Sequence, residues 1–248
     1  MLSVALAFLG WAWAYAPQPT LYLNPAWTLA WSDEFSGSAL DPSKWNTCYR
    51  WGCSSRANGI HEGQWYGAGA VEVTAGRAVL KASHSQSAEG YPYSSGMLSS
   101  HGKFSFTYGF AEGRFRLPKG KGLWPAFWLM SDSGKTEVDV MEMLGQQPNK
   151  LYMVLHSFSG GQHRRQYRTQ LGPDYSQGWH SFGLLWQPGL LVWYVDGREQ
   201  FRTTRNVPKE PMYLIANLAV GGDWPGLPDR NTRFPASLEV DYIRVWQR

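Results

Sequence analysis

Apolar and polar residues alternate in short runs along most of the chain, with glycine-centred turns between the runs. Residues 71–82 read as strand, glycine turn, strand. Residues 102–117 read as an aromatic strand (Lys-Phe-Ser-Phe-Thr-Tyr), a break at Gly109, and a second strand. Residues 190–201 place Asp196-Gly197 between two apolar runs, the strongest short cue for a hairpin. Residues 212–220 and 237–246 are further strands. Runs with helical period are scarce, so the pattern predicts an all-β sandwich or barrel, a class that often exceeds 200 residues as one domain.

Composition narrows this further. The 248 residues include 14 Trp, 13 Tyr and 11 Phe, while only 17% are charged, against about 25% in ordinary soluble domains. Such an aromatic load excludes disorder. Tryptophan in that number either fills a core or lines a surface that stacks on flat ligands. The net charge of +4 is too small and too scattered to mark a nucleic-acid binder. The basic run from His163 to Arg168 is expected in a loop between strands, solvated, with contact to an anionic glycan as the sharper alternative.

Residues 2–15 are apolar and uncharged, and Ala12-Trp13-Ala14 and Ala14-Tyr15-Ala16 fit a small-residue cleavage pattern. The stretch is too short to span a bilayer. The expectation is a signal peptide over 1–16, a single domain over 17–248, and a secreted or periplasmic location with no membrane attachment after export. Cys48 and Cys53 are the only cysteines. After export they are expected to close a small loop disulfide, since no further Cys or His has the spacing of a metal site.

The chemistry is concentrated in Thr-Glu-Val-Asp-Val-Met-Glu-Met, residues 136–143. Strand side chains alternate, so Glu137 and Asp139 share a face, whereas Glu142 falls on the opposite, apolar one. One extra residue, a bulge near Met141, restores the phase and puts all three carboxylates together, with Val138, Val140 and Met143 buried. Adjacent carboxylates repel, and a sequence selected only for stability would avoid them. Glycoside hydrolysis needs such a set: one ionised carboxyl and one protonated carboxyl flanking the scissile bond. The Glu Cα atoms would lie roughly 13 Å apart, and side chains leaning inward could reach the ~5–5.5 Å oxygen separation of a retaining enzyme. Glu239-Val-Asp241 repeats the spacing without a third carboxylate and reads as structural.

This strand resembles the signature of glycoside hydrolase family 16, in its bulged, laminarinase-type form. Trp31-Ser-Asp-Glu-Phe35, residues 40–45, residues 122–128, Trp193-Tyr-Val-Asp-Gly197, residues 217–225 and residues 234–246 are similar to the family's other motifs in the same order. The resemblance implies a β-jelly-roll of two antiparallel sheets with a concave cleft, and a retaining mechanism. Glu137 would be the nucleophile, Glu142 the general acid/base and Asp139 the electrostatic assistant. It further implies cleft contacts from Trp124, Trp128, His156, Trp224 and Trp65. Met97 stands where many relatives carry a sugar-contacting Arg, and the stretch from Asn58 to Trp65 departs from the relatives' Asn-Asn-Glu motif. No cofactor is implied for catalysis. A structural calcium would be held by Glu34, Gly76 and Asp241, consistent with the preference of Ca²⁺ for oxygen donors.

The resulting expectation is a monomeric, secreted endo-β-glucanase acting on β-1,3- or mixed β-1,3-1,4-glucan. The alternatives are a hydrolase of another polysaccharide (agar, carrageenan or another galactan) and a non-catalytic glycan-binding jelly roll. Transglycosylation could compete with hydrolysis. Phosphate-loop, zinc-hydrolase and serine-esterase motifs are missing from the sequence.

Overall fold

The computed structural model describes residues 26–55 and 61–248. The expected signal peptide and Asn58 lie outside them. The described strands are β1 (Thr28–Asp33), β2 (Gln64–Tyr66), β3 (Val71–Thr74), β4 (Arg77–Ala82), β5 (Tyr93–Ser95), β6 (Met97–Ser99), β7 (Gly109–Arg116) and β8 (Leu123–Ser131). The second half supplies β9 (Thr136–Met143), β10 (Lys150–Ser159), β11 (Gln162–Leu171), β12 (His180–Gln187), β13 (Leu190–Val195), β14 (Arg198–Thr203), β15 (Met212–Val220) and β16 (Ala236–Gln247).

Fourteen of these strands build a β-jelly-roll sandwich of two antiparallel sheets, and β2 and β5 pair separately in parallel. One sheet runs β14-β13-β12-β7-β16-β4-β3, with β1 also paired to β16; the other runs β11-β10-β9-β8-β15-β6. Alternation decides which side chains enter the space between them. On β4, Ala78, Leu80 and Ala82 are fully buried, and Leu123, Phe127 and Leu129 of β8 meet them in the same apolar core. The opposite face of the second sheet carries a smaller cluster, including Tyr49, Tyr66, Met97, Trp128, Tyr213 and Ile215. That cluster floors the cleft. Strand β15 is therefore buried along its whole length, covered on both faces.

Local sequence explains the joints. Asp196 and Gly197 both take positive φ (49° and 72°), the conformation of a two-residue type I′ hairpin between β13 and β14. Ala75 and Gly76 do the same between β3 and β4. Two expectations are corrected. Residues 163–168 are not a loop: they lie in β11, the edge strand of the cleft sheet. Residues 103–108 form no strand, and only Phe106 makes an isolated bridge, to Met212. The backbone there turns at Ser100, whose carbonyl accepts from Lys103 and Phe104, and Phe104 stacks on Trp31 at 4.9 Å. Ring packing overrides the strand pattern.

Candidate active site

The bulge falls where the carboxylate phase requires it. Asp139 pairs with Val154 and Glu142 with Tyr152, so two residues of β9 oppose the single Met153 of β10. On the other side, Phe127 pairs with Met141 and Trp128 with Asp139, leaving Val140 as the extra residue. Val138, Val140, Met141 and Met143 all enter the core. Glu137, Asp139 and Glu142 all line a cavity of about 390 Å³ on the other face. The bulged backbone is anchored from across the core, where the Trp193 indole N–H donates to the Asp139 carbonyl at 2.8 Å.

Neighbouring strands complete the face. From β8, Trp124, Ala126, Trp128 and Met130 line the same cavity. Trp124 Nε1 donates to Glu142 Oε1 at 3.0 Å. Trp128 Nε1 donates to Asn217 Oδ1 at 2.8 Å, and Asn217 Nδ2 donates to Tyr66 Oη at 2.9 Å, which fixes the floor. From β10, His156 places Nε2 3.2 Å from Asp139 Oδ2 and 3.9 Å from Glu137 Oε1. Its Nδ1 lies 2.8 Å from His163 Nε2. A second cavity of about 400 Å³ is lined by Tyr152, His156, Arg165, Tyr167 and Trp224, and shares Trp124, Glu137 and Glu142 with the first. The two glutamates therefore stand where the two halves of the cleft meet.

Charge is arranged unequally along the row. Burial, and then the Asp139 carboxylate, push Glu137 up to about 8, with His156 opposing the rise. Glu142 is driven well above the carboxylate range by burial, followed by Asp139 and Glu137, with only the Trp124 hydrogen bond favouring its ionised form. Both glutamates hold their protons more tightly than ordinary carboxylates, and the neighbouring imidazole favours the ionised form at Glu137. His156 is raised: the hydrogen bond and charge of Asp139, with the charge of Glu137, outweigh its burial. Two neighbouring carboxyls in unequal surroundings, one beside an imidazole and one beside an indole N–H, are the kind of pair that acid-assisted displacement at a sugar carbon requires.

The sequence model of the glycosyl hydrolases family 16 matches residues 62–244. The chain belongs to this family. Among family 16 relatives, it is 34% identical over 254 residues to a beta-glucanase of Rhodothermus marinus, covering 90% of this chain and 86% of that protein. It is 32% identical to glucan endo-1,3-beta-glucosidase A1 of Niallia circulans, covering 88% of this chain but 38% of that longer protein. Among solved structures, the endo-beta-1,3-glucanase of Pyrococcus furiosus superposes with a TM-score of 0.80 at 35% identity, covering 89% of this chain and 94% of that one.

Other expected site residues of this family 16 glycosidase divide by position. Trp124, Trp128, His156 and Trp224 line the cleft. Two do not. Met97 is fully buried in the floor cluster, so its side chain is a packing element and not a sugar contact. Trp65 packs on Tyr91 at 5.4 Å and lines neither half of the cleft. The reason is register: β2 pairs with β5 in a separate two-stranded sheet, with Tyr66 facing the floor and Trp65 facing away. Cys48 and Cys53 are joined in a disulfide, and the loop it closes carries Arg50 and Trp51 to the cavity wall.

Sequence reasoning passed over Glu62, which lines the first cavity and is 3% exposed. Burial raises it to about 7 against hydrogen bonds from Gln64 and Ser55. It also passed over Tyr152 and Asn217. Gln64 Nε2 donates to Glu62 Oε2 at 2.6 Å, a pairing that Glu62-Gly-Gln64 does not signal in the sequence, because nothing in its pattern shows burial.

The register also brings the three expected calcium ligands to one place. Strand β1 pairs with β16 as far as Asp33–Ile243, β4 pairs with it from Val240–Ala78, and Asp241 is the bulged residue between them. Glu34 directly follows the first pairing, and Gly76 lies two residues before Ala78 of the second. The Asp241 carboxylate accepts from Arg114 at 2.7 Å, and Glu34 is held by Arg244 at 2.8 and 2.6 Å. Placement fits an oxygen-donor site, but both side-chain carboxylates are already committed to guanidinium groups. The neighbouring Glu239 is likewise paired, with Arg77 and Arg116. At the cleft, Glu137, Asp139 and His156 hold donor atoms within 4.8 Å of one another. That proximity serves the charge pattern above, because family 16 chemistry needs no cofactor.

Proposed function

We propose that the chain is a secreted or periplasmic retaining endo-β-glucanase that cleaves β-1,3- or mixed β-1,3-1,4-glucan through a covalent glycosyl-enzyme. The observation that carries this reading is that Glu137 and Glu142 are shared by both halves of the cleft, so a chain lying through it presents one glycosidic bond between them. In the first step the ionised Glu137 attacks the anomeric carbon. The bond to the leaving oxygen breaks, and Glu142 gives that oxygen its proton. In the second step Glu142, now ionised, takes a proton from water. The oxygen of that water attacks the anomeric carbon, Glu137 departs, and two inversions give net retention. Asp139, bridged to His156, holds negative charge beside the developing oxocarbenium ion and disfavours early ionisation of Glu142.

The glucan assignment is supported by relatives and neighbours named as beta-glucanase, glucan endo-1,3-beta-glucosidase and endo-beta-1,3-glucanase. The aromatic walls, Trp124 and Trp128 on one side and Tyr152 and Trp224 on the other, offer ring faces to sugar C–H groups. Export agrees with the Cys48–Cys53 disulfide. A monomeric state belongs to the same proposal, as does a structural calcium at the Asp241 bulge, which would have to displace Arg114 and Arg244 from the two carboxylates. Reducing-sugar release from laminarin, lichenan, agarose, carrageenan and keratan sulfate tests it: laminarin or lichenan should be cut fastest, and cleavage confined to a galactan would replace the substrate assignment.

A further inference from the structure

The half of the cleft lined by Tyr152, His156 and Trp224 does not end at the sheet edge. A shallow groove of about 530 Å³ runs over β11 to the neighbouring edge strand of the other sheet, lined in part by Arg165, Tyr167, Arg202, Thr203, Thr204 and Arg205. Arg165 and Tyr167 line both this groove and the second cavity of the cleft. Register explains the sharing: Arg165 lies opposite His156 and Tyr167 opposite Val154, two cleft-facing positions of β10. Three cavities therefore follow one another along a single path, each sharing residues with the next.

The far section differs in chemistry from the centre. Its lining contains three arginines and no carboxylate, whereas the central section holds Glu137, Asp139 and Glu142. The arginines sit on a built wall. Thr203 Oγ1 donates to Gln166 Oε1 at 2.7 Å, and Gln166 Nε2 donates to the Arg205 carbonyl at 2.8 Å, which ties the two sheet edges together. The Arg205 amide donates to Thr203 Oγ1 at 3.1 Å. Arg202 is oriented by Glu199, which accepts two hydrogen bonds at 2.5 Å. Tyr167 is 59% exposed and carries the Arg165 guanidinium 5.4 Å from its ring centre. An exposed aromatic face beside guanidinium groups suits a sugar ring bearing a negative group.

We propose that this groove is a distal subsite for a sugar carrying an anionic substituent, a sulfate ester or a carboxylate, so that the enzyme's substrates include β-glycans with scattered negative charge. Fixed position follows from the charge pattern. An anion in the acidic centre of the cleft is disfavoured, while the same anion over β11 is attracted, so cleavage falls at a set distance from the charged residue. The inference rests on the retaining-glucanase reading for the path of the substrate chain through the cleft.

The test compares laminarin, sulfated laminarin and laminarin oxidised to carboxylates at its primary alcohols, at low and high salt, using the wild type and an Arg202→Ala/Arg205→Ala variant. In the wild type, kcat/KM on at least one charged polymer should exceed that on laminarin and fall with salt. The variant should lose about five- to tenfold on that polymer, the scale of two partly exposed ion pairs, and keep its rate on laminarin. The polymer that responds identifies the anion. An unchanged charged-to-neutral ratio in the variant overturns the proposal. Inactivity of the wild type on all three polymers would instead count against the glucanase reading. In that case, calorimetric binding of the charged oligosaccharides to the Glu142→Gln protein, with and without the arginine pair, still decides the groove: loss of binding with the arginines supports it, and equal binding overturns it.

Discussion

Trp193, on the sheet behind the cleft, reaches across the core to hydrogen-bond the backbone carbonyl of Asp139, the middle carboxylate of the cleft. A bulge takes a strand's backbone groups out of the regular ladder, and a buried carbonyl without a donor costs about 1–3 kcal/mol. The indole supplies that donor from the opposite sheet. Trp193→Phe keeps most of the ring volume but removes the N–H. The variant should lose about 1–3 kcal/mol of stability and lower kcat with little change in KM, because the bulge that phases Glu142 relaxes. Denaturant unfolding and steady-state kinetics on the preferred glucan measure both.

The Trp124 indole lowers the proton affinity of Glu142, since a hydrogen bond to the carboxylate favours its charged form. Trp124→Phe retains an aromatic wall without the donor. Glu142 should then hold its proton to higher pH, moving the alkaline limb of kcat/KM upward. The second step, which needs ionised Glu142, should slow at neutral pH. A pH–rate profile of the variant against wild type shows the shift and its sign.

Glu62 titrates near 7 in the fold, above the ordinary glutamate value of 4.5. Between those values the folded chain binds a proton that the unfolded chain has released, so stability falls as pH rises from about 4.5 through 7. The loss is at most about 3 kcal/mol at the usual conversion of pH units to energy. Glu62→Gln keeps the side-chain shape without the charge. Its melting temperature should decline less than that of the wild type over this window in a pH series of thermal scans.

Met97 supports the cleft floor from below, packed in the cluster with Tyr49, Tyr66 and Trp128. Met97→Ala should cost about 2–5 kcal/mol as a buried cavity mutation and lower the melting temperature by about 5–15 °C. KM for the glucan should change less than twofold, as expected of a residue that touches no sugar. A large KM effect at unchanged stability would restore it to the substrate contacts.

The fold was legible wherever one face of a strand is dry and the other wet. The bulge in β9 is the clearest case, because only an extra residue reconciles Glu142 with Val138, Val140 and Met143. The hairpin at Asp196-Gly197 was legible from the conformations those two residues favour. Strand β11 was not, because it is polar on both faces as an edge strand and carries no alternation to read. Trp65 and Met97 were misplaced for other reasons. For Trp65, which face a short strand presents depends on its pairing, and β2 pairs outside the two main sheets; Met97, on β6 of the cleft sheet, is fully buried within the floor cluster, which its motif position does not reveal. Glu62 escaped notice because its burial comes from a loop fold and has no periodic signature.

The most direct test of the double-displacement mechanism is mass spectrometry of peptides from the protein after reaction with a 2-deoxy-2-fluoro-β-laminaribiosyl fluoride, which slows release of the glycosyl-enzyme. The geometry predicts one added disaccharide mass on the peptide containing Glu137, with Glu142 unlabelled. Label on another residue, or turnover of the natural glucan with no covalent adduct ever trapped, would contradict it.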